Sequence, residues 1–101
     1  MKEYNKLVRD RIPEIIAAKG GESETHIATD EEYRQKAIEK LQEELAEFLE
    51  SKDPEELADL LEITYAVAES LGVSKDELEA MRLKKANERG GFAKRVILER
   101  S

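Results

Sequence analysis

The sequence predicts an all-α protein, a helical bundle built around an antiparallel helix hairpin and completed by oligomerisation. Three observations carry that expectation. Thr29 with Glu32, Asp53 with Glu56 and Ser74 with Glu77 repeat one helix-start signature. In each, a capping side chain three residues before a glutamate can satisfy backbone donors that the helix itself leaves orphaned. Apolar residues behind the first two starts recur at helical spacing. Only Ser51-Lys52-Asp53 joins those two stretches, short enough to fold them back on one another.

Taken in order, the chain opens on a mixed segment that ends at Pro13, a residue suited to the first turn of a short helix through Glu14–Lys19. Gly20-Gly21 terminates it. The polar stretch from Glu22 to Thr29 is irregular, with Thr25–Ala28 as its one candidate extended piece. Capping then predicts a second helix over about Asp30–Glu50, a third over about Pro54–Leu71 and a fourth over about Lys75–Arg89. Pro54 falls where its missing N–H costs nothing. Gly72 and Gly90-Gly91 supply the stops. Ile38, Leu41, Leu45, Phe48 and Leu49 form one stripe; Leu57, Leu60, Leu61, Thr64, Val67, Ala68 and Leu71 form the other. Beyond Phe92 the tail carries Val96-Ile97-Leu98, as a short strand or an extended arm. Phe92 itself is expected to make a helix-terminating hydrophobic contact. Helices this long on a chain of 101 residues leave apolar surface that one copy cannot cover, which predicts a homodimer or homotetramer.

Composition narrows the chemistry. The chain has the length of a single domain, residues 1–101, and its 40% hydrophobic content suffices for a core despite 41% charged residues. No apolar run approaches the roughly 20 residues of a membrane span, and no secretory h-region opens the chain, so no membrane partner and a cytoplasmic location are expected. With no cysteine and one histidine, disulfides, thiolate metal sites, cysteine nucleophiles and multi-histidine sites are excluded. His26 falls in the polar loop and reads as an exposed side chain. A net charge of −7 argues against stable nucleic-acid binding, which needs surplus Lys and Arg. Chemistry is left to carboxylates, lysines and arginines.

The carboxylates are patterned. Glu44 and Glu47 are three apart on the second helix, and so are Glu56 and Asp59 on the third, so each pair shares one side of its helix. Glu44 and Glu56 flank the apolar stripes; Glu47 and Asp59 lie roughly 140–150° from the stripe centres. In an antiparallel pair Glu47 is level with Glu56, and Glu44 with Asp59, because each pair is equidistant from a turn centre between Ser51 and Lys52. The four groups therefore line a shared edge of the hairpin, outside its buried seam, in two layers roughly 4.5 Å apart. Anionic groups so close repel unless a cation sits among them, and hard oxygen donors suit Mg2+, with Mn2+ as the alternative. The competing reading of the same spacing is a solvated acidic helix face.

The pattern E-E-x-x-E…E-x-x-D formed by Glu43, Glu44, Glu47, Glu56 and Asp59 resembles that of the MazG-like nucleotide pyrophosphohydrolase superfamily. The opening Tyr4-Asn5-Lys6-Leu7-Val8-Arg9-Asp10-Arg11-Ile12-Pro13-Glu14 is similar to the start of its small phosphoribosyl-ATP pyrophosphohydrolase-like members, and Lys84-Lys85-Ala86-Asn87-Glu88-Arg89-Gly90-Gly91-Phe92 to their end. The resemblance spans nearly the whole chain. It implies an all-α NTP-pyrophosphatase bundle that uses Mg2+ to cleave a nucleoside triphosphate or related nucleotide between the α and β phosphates. The products are the monophosphate and pyrophosphate, and removal of damaged or modified nucleotides is one such role. By resemblance the metal ligands are Glu44, Glu47, Glu56 and Asp59, with Glu43 assisting the attacking water. Lys84 or Lys85, and Asn87, map onto the family's Lys and Asn.

On that reading Glu43 or Glu44 orients the water. Lys6, Arg9, Arg11, Lys84, Lys85 and Arg89 are the cations available to substrate phosphates, with Lys85 and Arg9 foremost. Two other classes compete. One is a non-catalytic helical assembly or regulatory module that keeps the bundle without turnover. The other is a nucleic-acid binder using the basic stretch from Lys84 to Arg100, which the overall charge disfavours.

Overall fold

Caps decide where this chain becomes helical. The computed structural model describes residues 2–101 and contains α1 (Ile12–Ala18), α2 (Asp30–Ser51), α3 (Pro54–Ser70) and α4 (Lys75–Arg89). Thr29 accepts a hydrogen bond from the Glu32 backbone N–H at 3.2 Å. Asp53 accepts from Glu55 N–H at 2.9 Å, with Pro54 in the first turn. Ser74 accepts from Glu77 N–H while the Glu77 carboxylate accepts from Ser74 N–H. Of the three expected reciprocal boxes only this last closes. Glu32 lies instead 2.8 Å from His26, and Glu56 lies among other carboxylates.

Helix ends differ from expectation by a residue or two, as terminal turns allow. Past α3, Gly72 adopts a φ of +81°, and the following Val73 N–H returns to Ala68 O at 2.9 Å. That left-handed position closes the helix and suits glycine. Among the described residues there is no strand. Thr25–Ala28 and the tail are irregular, because neither meets a second segment with which to pair. The tail is an exposed arm. Phe92 is 97% exposed and does not make the expected contact with α4.

α2 and α3 pack as the expected antiparallel hairpin, with α4 touching α3 and no comparable packing between α2 and α4. The seam, however, is rotated from the predicted stripes. Ala37, Glu44, Ile63 and Ala68 are buried, and Leu41, Phe48, Leu60, Thr64 and Val67 are half-buried. Ile38, Leu45, Leu49, Leu57, Leu61 and Leu71 remain exposed. An apolar arc wider than one partner helix can cover has buried one flank and left the other outside. The molecule is correspondingly elongated, 56 × 31 × 23 Å, with a radius of gyration of 17.4 Å against about 13 Å for a compact chain of this length.

Ile63 is therefore a sensitive point. Ile63→Ala is expected to lower the unfolding free energy by about 2–4 kcal/mol, and Ser74→Ala, which removes the closed capping box, by about 1 kcal/mol. Both should appear as a lower urea midpoint at unchanged slope.

Candidate metal centre

Glu44 faces α3 one turn from Leu41 and two turns from Ala37, so closing the hairpin carries its carboxylate inside. It is 7% exposed, which corrects the expectation that the acidic pairs stand clear of the seam. The helical phase of the true seam explains this, since positions 37, 41, 44 and 48 follow one line along α2. Oxygens of Glu44, Glu56 and Asp59 lie within 4.8 Å of one another, and so do oxygens of Glu43, Glu44 and Glu47. Glu44 belongs to both triads. Glu43, Glu56 and Asp59 are half-buried, and Glu47 is exposed.

Cations reach this cluster from two directions. Lys40, one turn before Glu44, lies 3.3 Å from Glu44 Oε1 and donates to Glu43 Oε1 at 3.4 Å. Lys6 donates to Glu43 Oε1 at 2.9 Å, and Arg9 to Asp59 Oδ1 at 2.6 Å. Lys6 and Arg9 were expected beside a substrate; the fold sets them on the carboxylates themselves. Lys40 was not anticipated, although its spacing of three and four residues to Glu43 and Glu44 is readable in the sequence. Lys85, Asn87 and Arg89 are exposed on the last turns of α4 and make no side-chain hydrogen bond or ion pair among the described residues. One chain does not bring them to the cluster.

The electrostatics are uneven. Burial pushes the Glu44 carboxyl above its ordinary value, Lys40 opposes, and Glu47 and Asp59 add to the rise. Glu56 is pushed up to about 7, first by desolvation and then by the charges of Glu47, Asp59 and Glu44. One of its oxygens is covered even though the residue as a whole is half-exposed. Glu43 moves down, held ionised mainly by the Lys6 hydrogen bond and further by Lys40. Glu44 Oε2 and Glu56 Oε2 are buried and have no hydrogen-bond partner. A buried carboxylate oxygen without a donor is costly, and a cation or a proton on either would relieve that cost. The donor set is entirely carboxylate oxygen, which fits Mg2+ or Mn2+ and offers nothing to a soft metal.

Two other side chains lie elsewhere. His26 is exposed and paired with Glu32. Tyr65 is half-buried with the Lys75 ammonium 4.5 Å from its ring centre. A concavity at the opposite end of the hairpin is lined by Asp30, Tyr33, Arg34, Glu69 and Leu71 and contains none of the five carboxylates. Comparison of the chain with protein-family models, curated proteins and solved structures finds no match.

The raised carboxyls have a signed consequence. Glu44 and Glu56 bind protons more tightly folded than unfolded, so their contribution to stability is complete below the ordinary value of 4.5. For Glu56 it is lost as pH rises through about 7. Glu43 acts oppositely, contributing above the ordinary value and losing its share as pH falls. In EDTA, Glu56→Gln is expected to melt several degrees above wild type at pH 8 and near wild type at pH 5, measured by circular dichroism. An unchanged difference between the two pH values would show that Glu56 is not the source.

Proposed function

We propose that this chain is a Mg2+-dependent nucleotide pyrophosphohydrolase of the MazG-like kind, cleaving a nucleotide between its α and β phosphates. The observation that carries the reading is Glu44: a carboxylate 7% exposed, common to two acidic triads, with one oxygen buried and unpartnered. A solvated acidic helix face has no reason to bury such a group. The sequence resemblance supplies the reaction class.

Glu44, Glu47, Glu56 and Asp59 would hold the ion. When bound, Mg2+, or Mn2+ in its place, neutralises the charge between carboxylates and phosphate oxygens and acidifies a water. Glu43, kept ionised by Lys6 and Lys40, accepts a hydrogen bond from water and orients it. Lys6 and Arg9, already at the rim, offer donors to phosphate oxygens. Lys40 keeps its charge beside Glu43 and Glu44 and limits their mutual repulsion.

A homodimer or homotetramer belongs to the same reading. The solvent-accessible surface is 9143 Å² for an 11.5 kDa chain, where the mass scaling of compact monomers gives roughly 5,800 Å². The excess exceeds what a standard protein interface buries. Leu45, Leu49, Leu57 and Leu61 present the apolar part of it.

Among the described residues no helix is long and apolar enough to cross a membrane. A panel of nucleoside triphosphates and phosphoribosyl-ATP with Mg2+ should release pyrophosphate and not orthophosphate. Glu47→Ala and Asp59→Ala should each cut that release at least about a hundredfold with helical content kept; undiminished release in both variants would overturn the site. Leu45→Glu with Leu61→Glu should shift sedimentation towards a monomer.

A further inference from the structure

The N-terminal segment before α1 carries two cations, and both end on carboxylates of the centre, one on each helix of the hairpin. Lys6 meets Glu43 of α2 at 2.9 Å and Arg9 meets Asp59 of α3 at 2.6 Å. Leu7 and Val8 between them are half-buried, and the Ile12 N–H donates to Arg9 O at 3.1 Å. The backbone here is thus tied down while the two long side chains remain free to swing. We propose that Lys6 and Arg9 form an electrostatic strap: Arg9 competes with a divalent cation for Asp59, Lys6 opposes the cation by its charge beside Glu43 at the rim of the same centre, and both turn towards substrate phosphate only after the cation is bound. The inference rests on the metal reading above and names how that site is controlled.

Charge and exposure support the exchange. Two unit cations leave as one divalent cation enters, so the net charge around the five carboxylates is conserved. The paired side chains are 38% and 31% exposed for Lys6 and Glu43, and 58% and 38% for Arg9 and Asp59. Ion pairs as exposed as these are weak and give way readily. Lys40 differs, at 17% exposed and on the same helix as its partners, and it stays. The Lys6 ammonium also lies 5.5 Å from the Tyr4 ring centre, a contact that does not depend on Glu43. Arg9 has a planar fork of donors matched to phosphate oxygens once Asp59 is given up. Direct coordination of Asp59 by Mg2+ requires oxygen at about 2.0–2.1 Å, an approach that a guanidinium on the same carboxylate opposes by charge and bulk.

Calorimetric titration of Mg2+ and of Mn2+ into full-length wild type, Arg9→Gln and Lys6→Gln, without nucleotide, measures the competition. Each variant is expected to bind the metal about threefold to tenfold more tightly than wild type, the double variant more tightly still, and Arg9→Lys within about twofold of wild type. Mg2+ should also move the Arg9 side-chain N–H signal in the NMR spectrum, assigned by its loss in Arg9→Gln. Equal or weaker metal binding in both glutamine variants, with wild type saturable, overturns the strap and leaves the metal centre standing. No saturable binding by wild type or by any variant overturns the metal centre, and the strap with it.

Discussion

The packing of α2 against α3 through Glu44 is the constraint on which the rest depends. A hairpin seam made of Ala37, Leu41, Phe48, Ile63 and Ala68 would be a small but ordinary core. Putting a carboxylate into that line brings a desolvation cost, and the neighbouring Glu47 and Asp59 raise it by repulsion. The fold answers with Lys40 from within the helix and with Lys6 and Arg9 from outside it. Two carboxylate oxygens are still left without partners. That residue of unmet demand is what distinguishes a site from a charged surface.

Stability and function consequently pull against each other here. Removing charge from Glu56 favours the folded chain at neutral pH, whereas the proposed chemistry needs the charge in place. Proteins commonly hold such costs at their working sites and offset them elsewhere. In this chain the offset within one copy is modest, because among the described residues no large side chain is fully buried. The exposed flank of the hairpin and the detached, basic C-terminal arm both belong to surface that a second copy can cover.

Much of the fold was legible because it is local. Thr29, Asp53 and Ser74 mark the helix starts through bonds that span two or three residues, and the short Ser51–Asp53 connection leaves the hairpin no other direction. The level relation of Glu44 with Asp59 is equally local, set by helical rise and the turn. What escaped was helix rotation. Stripes centred on Leu45 and Leu61 describe where apolar residues are densest, but the packed line runs through Glu44 and Ile63, neither of which belongs to those stripes. Two reciprocal caps stay open because Glu32 meets His26, six residues before it, and Glu56 lies among the other carboxylates, neighbours that the capping spacing does not contain.

The sequence by itself determined the four helices, the antiparallel hairpin and the gathering of five carboxylates on its adjoining helices, since each follows from spacing, caps and loop length. Only the tertiary structure decided that Glu44 is inside, that Lys6 and Arg9 sit on Glu43 and Asp59, and that Lys85, Asn87 and Arg89 stand apart from them. The physical reason is range. Helical phase and capping are fixed within a turn or two, whereas burial and ion pairing across 37 to 50 residues depend on how rigid elements dock.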